Sequence, residues 1–463
     1  MKTPGSSWRS GRRASQGPGG RPERQSALGP ANGATENIKL VKIEKPLYGG
    51  DFLARVDGKA IFVPLTLPGE QVRARVVAEK KSYATAEPEE IVTASPHRVA
   101  PACRHFGSCG GCQYQHADYE AQLEIKRVVL RETLERGGVP LAKEIETLAA
   151  EPWAYRNRIR VAIDATGRVG YRGRRSHAIV PIVECPIAAP LLVRAALAAG
   201  DILRESRAIW RPDEILLFCD GDETALLADV FAAGSAGNQF QQFCARLAER
   251  IPELRGAELA AEDRDGGPPR LIAQWGAASL VYRAGGVDYR VDQGAFFQVN
   301  RLLVDQLADY VTHGVQGALT WDLFAGVGLF ARQLAEKFAQ VVAVESAAAA
   351  LPALEHNLAG KNARVVQATT LQFLQHATEH PRPDLIVPDL IVIDPPRIGL
   401  GPKTTELLTK IGVPAIAYVS CDPATLARDL RAMISTGYEI DSVALVDLFP
   451  QTFHLETIVL LSR

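Results

Sequence analysis

From about Val291 to the C-terminus the chain alternates short apolar runs with amphipathic stretches, and this pattern restricts the fold more than any other feature. LTWDLFAG leads into GLFARQLAEKFA, QVVAVE into AALPALEHNLAG, and AIAYVSC into PATLARDLRAMISTGY, with ARVVQA and LIVIDPPR as further apolar runs. Continuous apolar strands separated by helices predict a doubly wound, mainly parallel sheet of the α/β class, because parallel strands need crossovers and are buried on both faces. The last pair, IDSVALVDLFP and TFHLETIVLLSR, predicts an antiparallel edge. Ligands of such sheets bind at the carboxyl ends of the strands.

Those strand tips carry the chemistry. The first βα turn reads Asp322-Leu323-Phe324-Ala325-Gly326-Val327-Gly328-Leu329, where glycine lets the backbone approach a ligand closely. The next strand ends at Glu345, placed to accept hydrogen bonds from both hydroxyls of a ribose. This spacing admits S-adenosylmethionine and a dinucleotide equally. A later strand ends Asp394-Pro395-Pro396-Arg397, a rigid turn able to hold a carboxylate against a cofactor or a flat substrate. Another ends Ser420-Cys421-Asp422-Pro423, opening a helix. A thiol beside a helix N-terminus is expected to have a lowered pKa and to serve as a nucleophile. Glu456 interrupts the apolar FHLETIVLL, where a carboxylate is costly unless paired or functional. Burial raises its pKa, which suits a general base.

With 463 residues the chain is long enough for about three domains. Residues 1–36, rich in Gly, Pro, Ser and Arg, read as a disordered basic tail. Residues 37–95 contain short alternating strands with turns at Gly49-Gly50, Asp57-Gly58 and Pro68-Gly69, which predicts an OB-like β-barrel. Residues 96–290 read as a central α+β domain with a helix near Tyr119–Arg136, and residues 291–463 as the doubly wound domain. Between residues 153 and 177, Arg156, Arg158, Arg160, Arg168, Arg172, Arg174 and Arg175 interleave with Trp153, Tyr155 and Tyr171. Such a surface can grip phosphates and stack bases, although exposed strand arginines are also common. No stretch approaches 18 uninterrupted apolar residues, so no membrane partner is expected.

Seven cysteines without an export signal point to a reducing, cytoplasmic setting. Four of them form a pattern: Cys103, five residues, Cys109, two residues, Cys112, then 72 residues to Cys185-Pro186. Four thiolates can hold zinc or an iron–sulfur cluster. Structural zinc usually takes two close pairs, so a compact triplet with one remote ligand lies nearer to cluster ligation. Cys219 and Cys244 read as structural, and neither His105 nor His116 is given a role.

The stretches Gln293-Gly294-Ala295-Phe296-Phe297-Gln298-Val299-Asn300, DLFAGVGLFA, IDPPRIGLG, VSCDPATLARDL and DLFPQTFHLETIVLL resemble the uridine-5 RNA methyltransferase family, best its 23S rRNA branch. The resemblance runs from about residue 38 to the end. It implies a class I methyltransferase domain, Cys421 as nucleophile, Glu456 as base, and Gln298, Phe324, Glu345 and Asp394 in an S-adenosylmethionine pocket. It implies a 4Fe-4S cluster on Cys103, Cys109, Cys112 and Cys185, and a TRAM domain, an RNA-binding module, as the first barrel. The implied partner is RNA, 23S rRNA foremost, and the implied oligomeric state a monomer. Leu329 stands where relatives usually carry Asn or Thr, so one cofactor contact is expected to be lost, and Ala325 replaces a frequent Cys. A thiolate, a base and a methyl donor suit this reaction, because carbon 5 of uracil becomes nucleophilic only after thiolate addition at carbon 6. The same reaction on tRNA is the nearest alternative. A non-catalytic RNA-binding or iron–sulfur sensor protein would show a damaged nucleophile or base. A nucleotide-dependent oxidoreductase would leave Cys421 and the barrel unexplained.

Overall fold

The computed structural model describes residues 37–206, 210–232, 237–261, 269–380 and 387–463, and the tail expected over 1–36 lies outside the described residues. Strands β1 (Ile38–Pro46), β2 (Asp51–Val56), β3 (Lys59–Pro64), β4 (Gln71–Glu79) and β5 (Tyr83–Thr93) close a barrel in the order β1-β2-β3-β5-β4. Alternate residues point inward, among them Val41, Ile43, Phe52, Val63 and Val72, with Ala54, Ala74, Ala84 and Ala86 small enough to let the strands curl shut. Asp57 and Gly58, both at positive φ (52° and 79°), make the two-residue turn between β2 and β3.

Helix α1 (Tyr119–Arg136) begins at Asp118, whose carboxylate accepts from the Ala121 N–H at 2.8 Å. Strand β6 (Ile145–Leu148) follows. The central sheet holds β7 (Arg158–Ile163), β8 (Val169–Arg172), β9 (Ile179–Pro181), β10 (Glu214–Cys219), β11 (Leu226–Phe231), β12 (Leu254–Ala261) and β13 (Arg270–Gly276), in the order β13-β12-β11-β10-β7-β8-β9. Helices α2 (Pro190–Glu205) and α3 (Gly237–Arg250) share its apolar core, which includes Cys219 and Cys244 as small hydrophobes. A hairpin, β14 (Ser279–Ala284) with β15 (Val287–Asp292), packs onto the C-terminal core.

The C-terminal layer comprises α4 (Val304–Thr312), β16 (Gly317–Leu323), α5 (Leu329–Leu334), β17 (Phe338–Glu345), α6 (Leu351–Asn357), β18 (Ala363–Gln367), α7 (Thr370–Glu379), β19 (Leu390–Ile393), α8 (Pro402–Ile411), β20 (Ala415–Ser420), α9 (Pro423–Ile434), β21 (Glu439–Val446) and β22 (Glu456–Ser462). The strand order is β18-β17-β16-β19-β20-β22-β21-β6. Strands β16 to β20 run parallel, and the order reverses at β16, which opens a crevice at the carboxyl tips of β16, β17 and β19. Strand β22 is antiparallel to β20 and β21, so its first residue lies at the same end as those tips.

One assignment differs from the sequence-based division. The expected central domain includes residues 119–148, yet β6 pairs in parallel with β21, Ile145 opposite Val443, and so belongs to the C-terminal sheet. Helix α1 ends against α9 so closely that a Cβ on Gly137 would lie 2.4 Å from the Ala427 Cβ. Among the described residues no helix is long and apolar enough to cross a membrane.

Candidate active site

The crevice is framed by the turn after β16. Phe324 takes φ +73°, and its N–H and that of Ala325 both donate to the Val344 carbonyl, at 3.1 and 2.9 Å. The Gly326 N–H donates to Glu345 Oε2 at 2.8 Å, while Glu345 Oε1 accepts from the Ser346 and Ala347 N–H groups at 2.6 Å each. The carboxylate thus fixes the turn with three of its roughly four acceptor positions and keeps one, on Oε2, for a ligand. Gly328 takes φ +93°, a strained conformation for any other residue, and a Cβ there would also push Leu354 Cδ1, 2.9 Å away. Asp322 is fully buried; its Oδ2 accepts from the Ala331 N–H at 2.9 Å, and burial, opposed by that bond, pushes its pKa up to about 8. The side-chain amide of Gln298 donates to Asp394 Oδ2 at 3.3 Å, and burial holds Asp394 at about 7. Gln298, Phe324, Glu345 and Asp394 therefore gather around one crevice. Leu329 is buried and offers it only carbon, its carbonyl accepting from Tyr289 Oη at 3.1 Å.

Cys421 and Glu456 meet because of sheet register. Ser420 on β20 stands opposite Thr457 on β22, so the next residue of one strand faces the preceding residue of the other. Burial pushes the Glu456 carboxyl well above its usual range, with the charge of Asp394 adding and that of Arg397 opposing. The Cys421 thiol is pushed up to about 12 by burial and by Glu456 and Asp394, against Arg397. This corrects the expectation of a lowered thiol pKa from the neighbouring helix. The Asp422 carboxylate caps α9, accepting from the Ala424 and Thr425 N–H groups at 3.0 Å each, so the helix end is already neutralised.

Three neighbours were not singled out by sequence reasoning. Arg397 donates to His454 Nδ1 at 3.2 Å, and burial together with that cation lowers His454 to about 4, leaving it a neutral acceptor. Tyr48, on the barrel turn between β1 and β2, donates to Asp422 Oδ2 at 3.2 Å and meets the Phe453 ring edge-on at 6.0 Å. The signal for Arg397 was its place directly after Asp394-Pro395-Pro396; Tyr48 is remote in sequence and carried none.

Cys103, Cys109, Cys112 and Cys185 line a single cavity of about 290 Å³ together with Arg156 and Tyr171. They form no disulfide. Burial and their mutual charges raise Cys103, Cys109 and Cys112, the last to about 12. Among the described residues no group of three or more His, Cys, Asp or Glu is drawn together tightly enough to hold a metal ion. Thiols are the donor type that zinc and iron–sulfur clusters take, and these four line one cavity beside the half-buried Arg156, whose Nε donates to Tyr155 Oη at 3.2 Å. His105 accepts from the Val183 N–H at 3.2 Å and His116 bonds the Thr66 carbonyl at 3.0 Å, both contacts within the fold.

The arginine-rich segment is largely internal wiring. Arg174 pairs with Glu87, Arg175 with Asp51 at 2.7 Å, Arg172 with Glu214 at 3.0 Å and Arg168 with Asp164 at 2.8 Å. Tyr155 is buried and donates to the Pro450 carbonyl at 3.0 Å, and Arg158 stacks over Phe218 at 4.5 Å. Tyr155 is therefore a core side chain rather than a base-stacking platform.

The sequence profile of the tRNA (Uracil-5-)-methyltransferase family matches residues 279–463, and that of the TRAM domain residues 37–88. A 23S rRNA (uracil(1939)-C(5))-methyltransferase, RlmD, of Halomonas elongata is 34% identical over 460 residues, covering 96% of this chain and 93% of the relative. The chain belongs to the RNA uracil-5-methyltransferase family. It is accordingly an enzyme that transfers a methyl group from S-adenosylmethionine to carbon 5 of uracil in RNA. An RNA methyltransferase of Streptomyces avermitilis is 35% identical, covering 91% of this chain and 97% of the relative. Among solved structures, the Pyrococcus abyssi tRNA (uracil-54, C5)-methyltransferase in complex with S-adenosyl-L-homocysteine superimposes with a TM-score of 0.72 at 25% identity, covering 91% of this chain and all of the other. This methyltransferase thus has the S-adenosylmethionine-dependent fold, with the five-stranded TRAM barrel at its N-terminal end.

Proposed function

We propose that the enzyme methylates a uridine of 23S rRNA through a covalent adduct, with Cys421 as nucleophile and Glu456 as base. The observation that carries this is the β20–β22 register, which sets a thiol and a buried carboxyl side by side at the crevice. Cys421 gives up its thiol proton to solvent as Sγ adds to carbon 6 of the uracil, and the C5=C6 electrons shift onto the carbon 4 oxygen, making carbon 5 a nucleophile. S-adenosylmethionine supplies the methyl as an electrophile and leaves as S-adenosylhomocysteine. Glu456 then takes the carbon 5 proton; the C–H pair re-forms C5=C6, and the Sγ–C6 bond breaks to release the thiolate. The high thiol pKa fits a resting state that keeps the nucleophile protonated until the target base enters. Arg397, which opposes that rise, is placed to favour the thiolate. Glu345 accepts a ribose hydroxyl on Oε2, and Gln298, Phe324 and Asp394 shape the remainder of the cofactor pocket.

In this reading residues 37–95 hold RNA, residues 96–290 carry a 4Fe-4S cluster on Cys103, Cys109, Cys112 and Cys185, and residues 291–463 perform the chemistry. The cluster would tie three loop cysteines to the chain 72 residues on, a role in shape rather than in methyl transfer. The rRNA assignment is supported by the name of the Halomonas relative; the Pyrococcus neighbour acts on tRNA and makes tRNA the second reading. Labelled S-adenosylmethionine offered with unmodified 23S rRNA and tRNA transcripts separates the two. Label in rRNA as 5-methyluridine, absent with Cys421→Ala, is the expected result. Label confined to tRNA would replace the substrate, and label retained by Cys421→Ala would remove the nucleophile.

A further inference from the structure

The loop that leads into Glu456, residues 447–455, is held from outside its own sheet. Gln122, buried on α1, forms a reciprocal amide pair with Gln451: its Oε1 accepts from the Gln451 N–H and its Nε2 donates to Gln451 Oε1, both at 2.9 Å. The Gln451 carbonyl accepts from the N–H groups of Gln113 and Tyr114, at 2.9 and 3.0 Å, immediately after Cys112. One turn along α1 from Gln122, the fully buried Lys126 pairs with Asp447 and donates to the Phe449 carbonyl at 2.9 Å. Gln451 itself sits at φ +68°, a left-handed conformation that costs a non-glycine residue on the order of 1 kcal/mol and persists only where partners impose it.

Neither thiol addition nor methyl transfer calls on these groups. Cys421 is positioned by a different element, the turn capped by Asp422. Glu456, by contrast, is the first residue of β22, five residues after Gln451, and the direction of its side chain depends on the loop between them. We propose that Gln122 is a positioning residue for Glu456, which by fixing the left-handed Gln451 brings the carboxylate to the proton on carbon 5. The inference rests on the reading of Glu456 as base.

It has a signature that loss of folded protein does not produce. When the base is displaced, the carbon 5 proton stays, the thiolate cannot leave, and the enzyme stops while covalently joined to methylated RNA. Full-length wild type, Gln122→Met, Gln451→Gly, Glu456→Gln and Cys421→Ala are incubated with S-adenosylmethionine and an unmodified transcript that the wild type methylates, then resolved on a denaturing gel beside steady-state kinetics. Gln122→Met and Gln451→Gly are expected to lower kcat on the order of tenfold with KM for RNA within about twofold, and to accumulate protein–RNA adduct as Glu456→Gln does. Gln451→Gly removes the side-chain half of the pair and lets the backbone leave the left-handed region, although its N–H can still donate to Gln122 Oε1, and so stands in if Gln122→Met does not fold. Wild-type turnover in both loop variants, or adduct and turnover falling together, overturns the positioning role. If Glu456→Gln forms no adduct while Cys421→Ala abolishes transfer, the base assignment fails instead.

Discussion

The strand-tip crevice and the cysteine cavity both collect polar groups from distant parts of the chain, but they are built differently. In the crevice, Asp322, Asp394, Cys421 and Glu456 sit at the ends of packed strands, so register sets their spacing and burial sets their protonation. Around the cavity, Cys103, Cys109, Cys112 and Cys185 hang on loops and remain half-buried. A sheet sets the spacing of reacting groups through its ladder of hydrogen bonds, and here the loop pinned by Gln122 adds the aim of Glu456. Loops need a cross-link, and a 4Fe-4S cluster on the four thiolates, as proposed above, would supply one.

The sharpest way to break this contrast is to damage each centre in turn. Cys421→Ala should cut methyl transfer at least about 10³-fold while leaving thermal unfolding within a few degrees of wild type, since the thiol bonds no core group. Cys112→Ser should do the reverse: loss of bound iron and a lowered Tm, with kcat per folded molecule falling much less. Iron content and visible absorption of the anaerobically purified protein provide the readout. Equal loss of turnover in both would show that the cavity takes part in the chemistry.

Effects of Arg397 are expected to be smaller. Its cation opposes the rise in the thiol pKa, so Arg397→Met should move the rising limb of the pH–rate profile to higher pH and slow the reaction about tenfold near neutrality. A limb unchanged in position would detach Arg397 from the thiol. Glu345→Gln should raise KM for S-adenosylmethionine about tenfold, roughly 1.4 kcal/mol, with kcat little altered.

The smallest effect concerns stability. Asp322 titrates at about 8 in the fold against an ordinary value of 3.8, so its folded pKa is raised. The stability linked to its proton is fully present below about pH 4 and is lost as pH rises through about 8. Asp322→Asn should therefore flatten the decline of Tm between those limits. An unchanged slope would show that the buried carboxyl is already ionised.

The barrel, α1 and the parallel strands were legible in the sequence because period and punctuation are local properties: alternating residues and glycine turns in β1 to β5, an amphipathic run at Tyr119–Arg136, apolar runs in β16 to β20. Glu456 could be singled out for the same reason, since a carboxylate inside FHLETIVLL conflicts with its immediate neighbours. The four cysteines could be grouped by spacing alone. What failed was anything set by contact between distant segments. The arginine-rich segment could be read either as a phosphate grip or as ordinary surface, and only the fold showed Arg174 beside Glu87 and Arg175 beside Asp51 of the barrel.

By itself the sequence determined the classes of element and the residues able to do chemistry, since both follow from side-chain type and short-range periodicity. The tertiary structure decided which of those residues meet. Strand pairing put β6 at the edge of the C-terminal sheet and Glu456 beside Cys421, choices made by long-range register that no local pattern encodes. It also decided charge state: burial of the thiol and the charges of Glu456 and Asp394 raised a thiol pKa that local reasoning would lower, because electrostatic energy depends on burial and on neighbours remote in the chain.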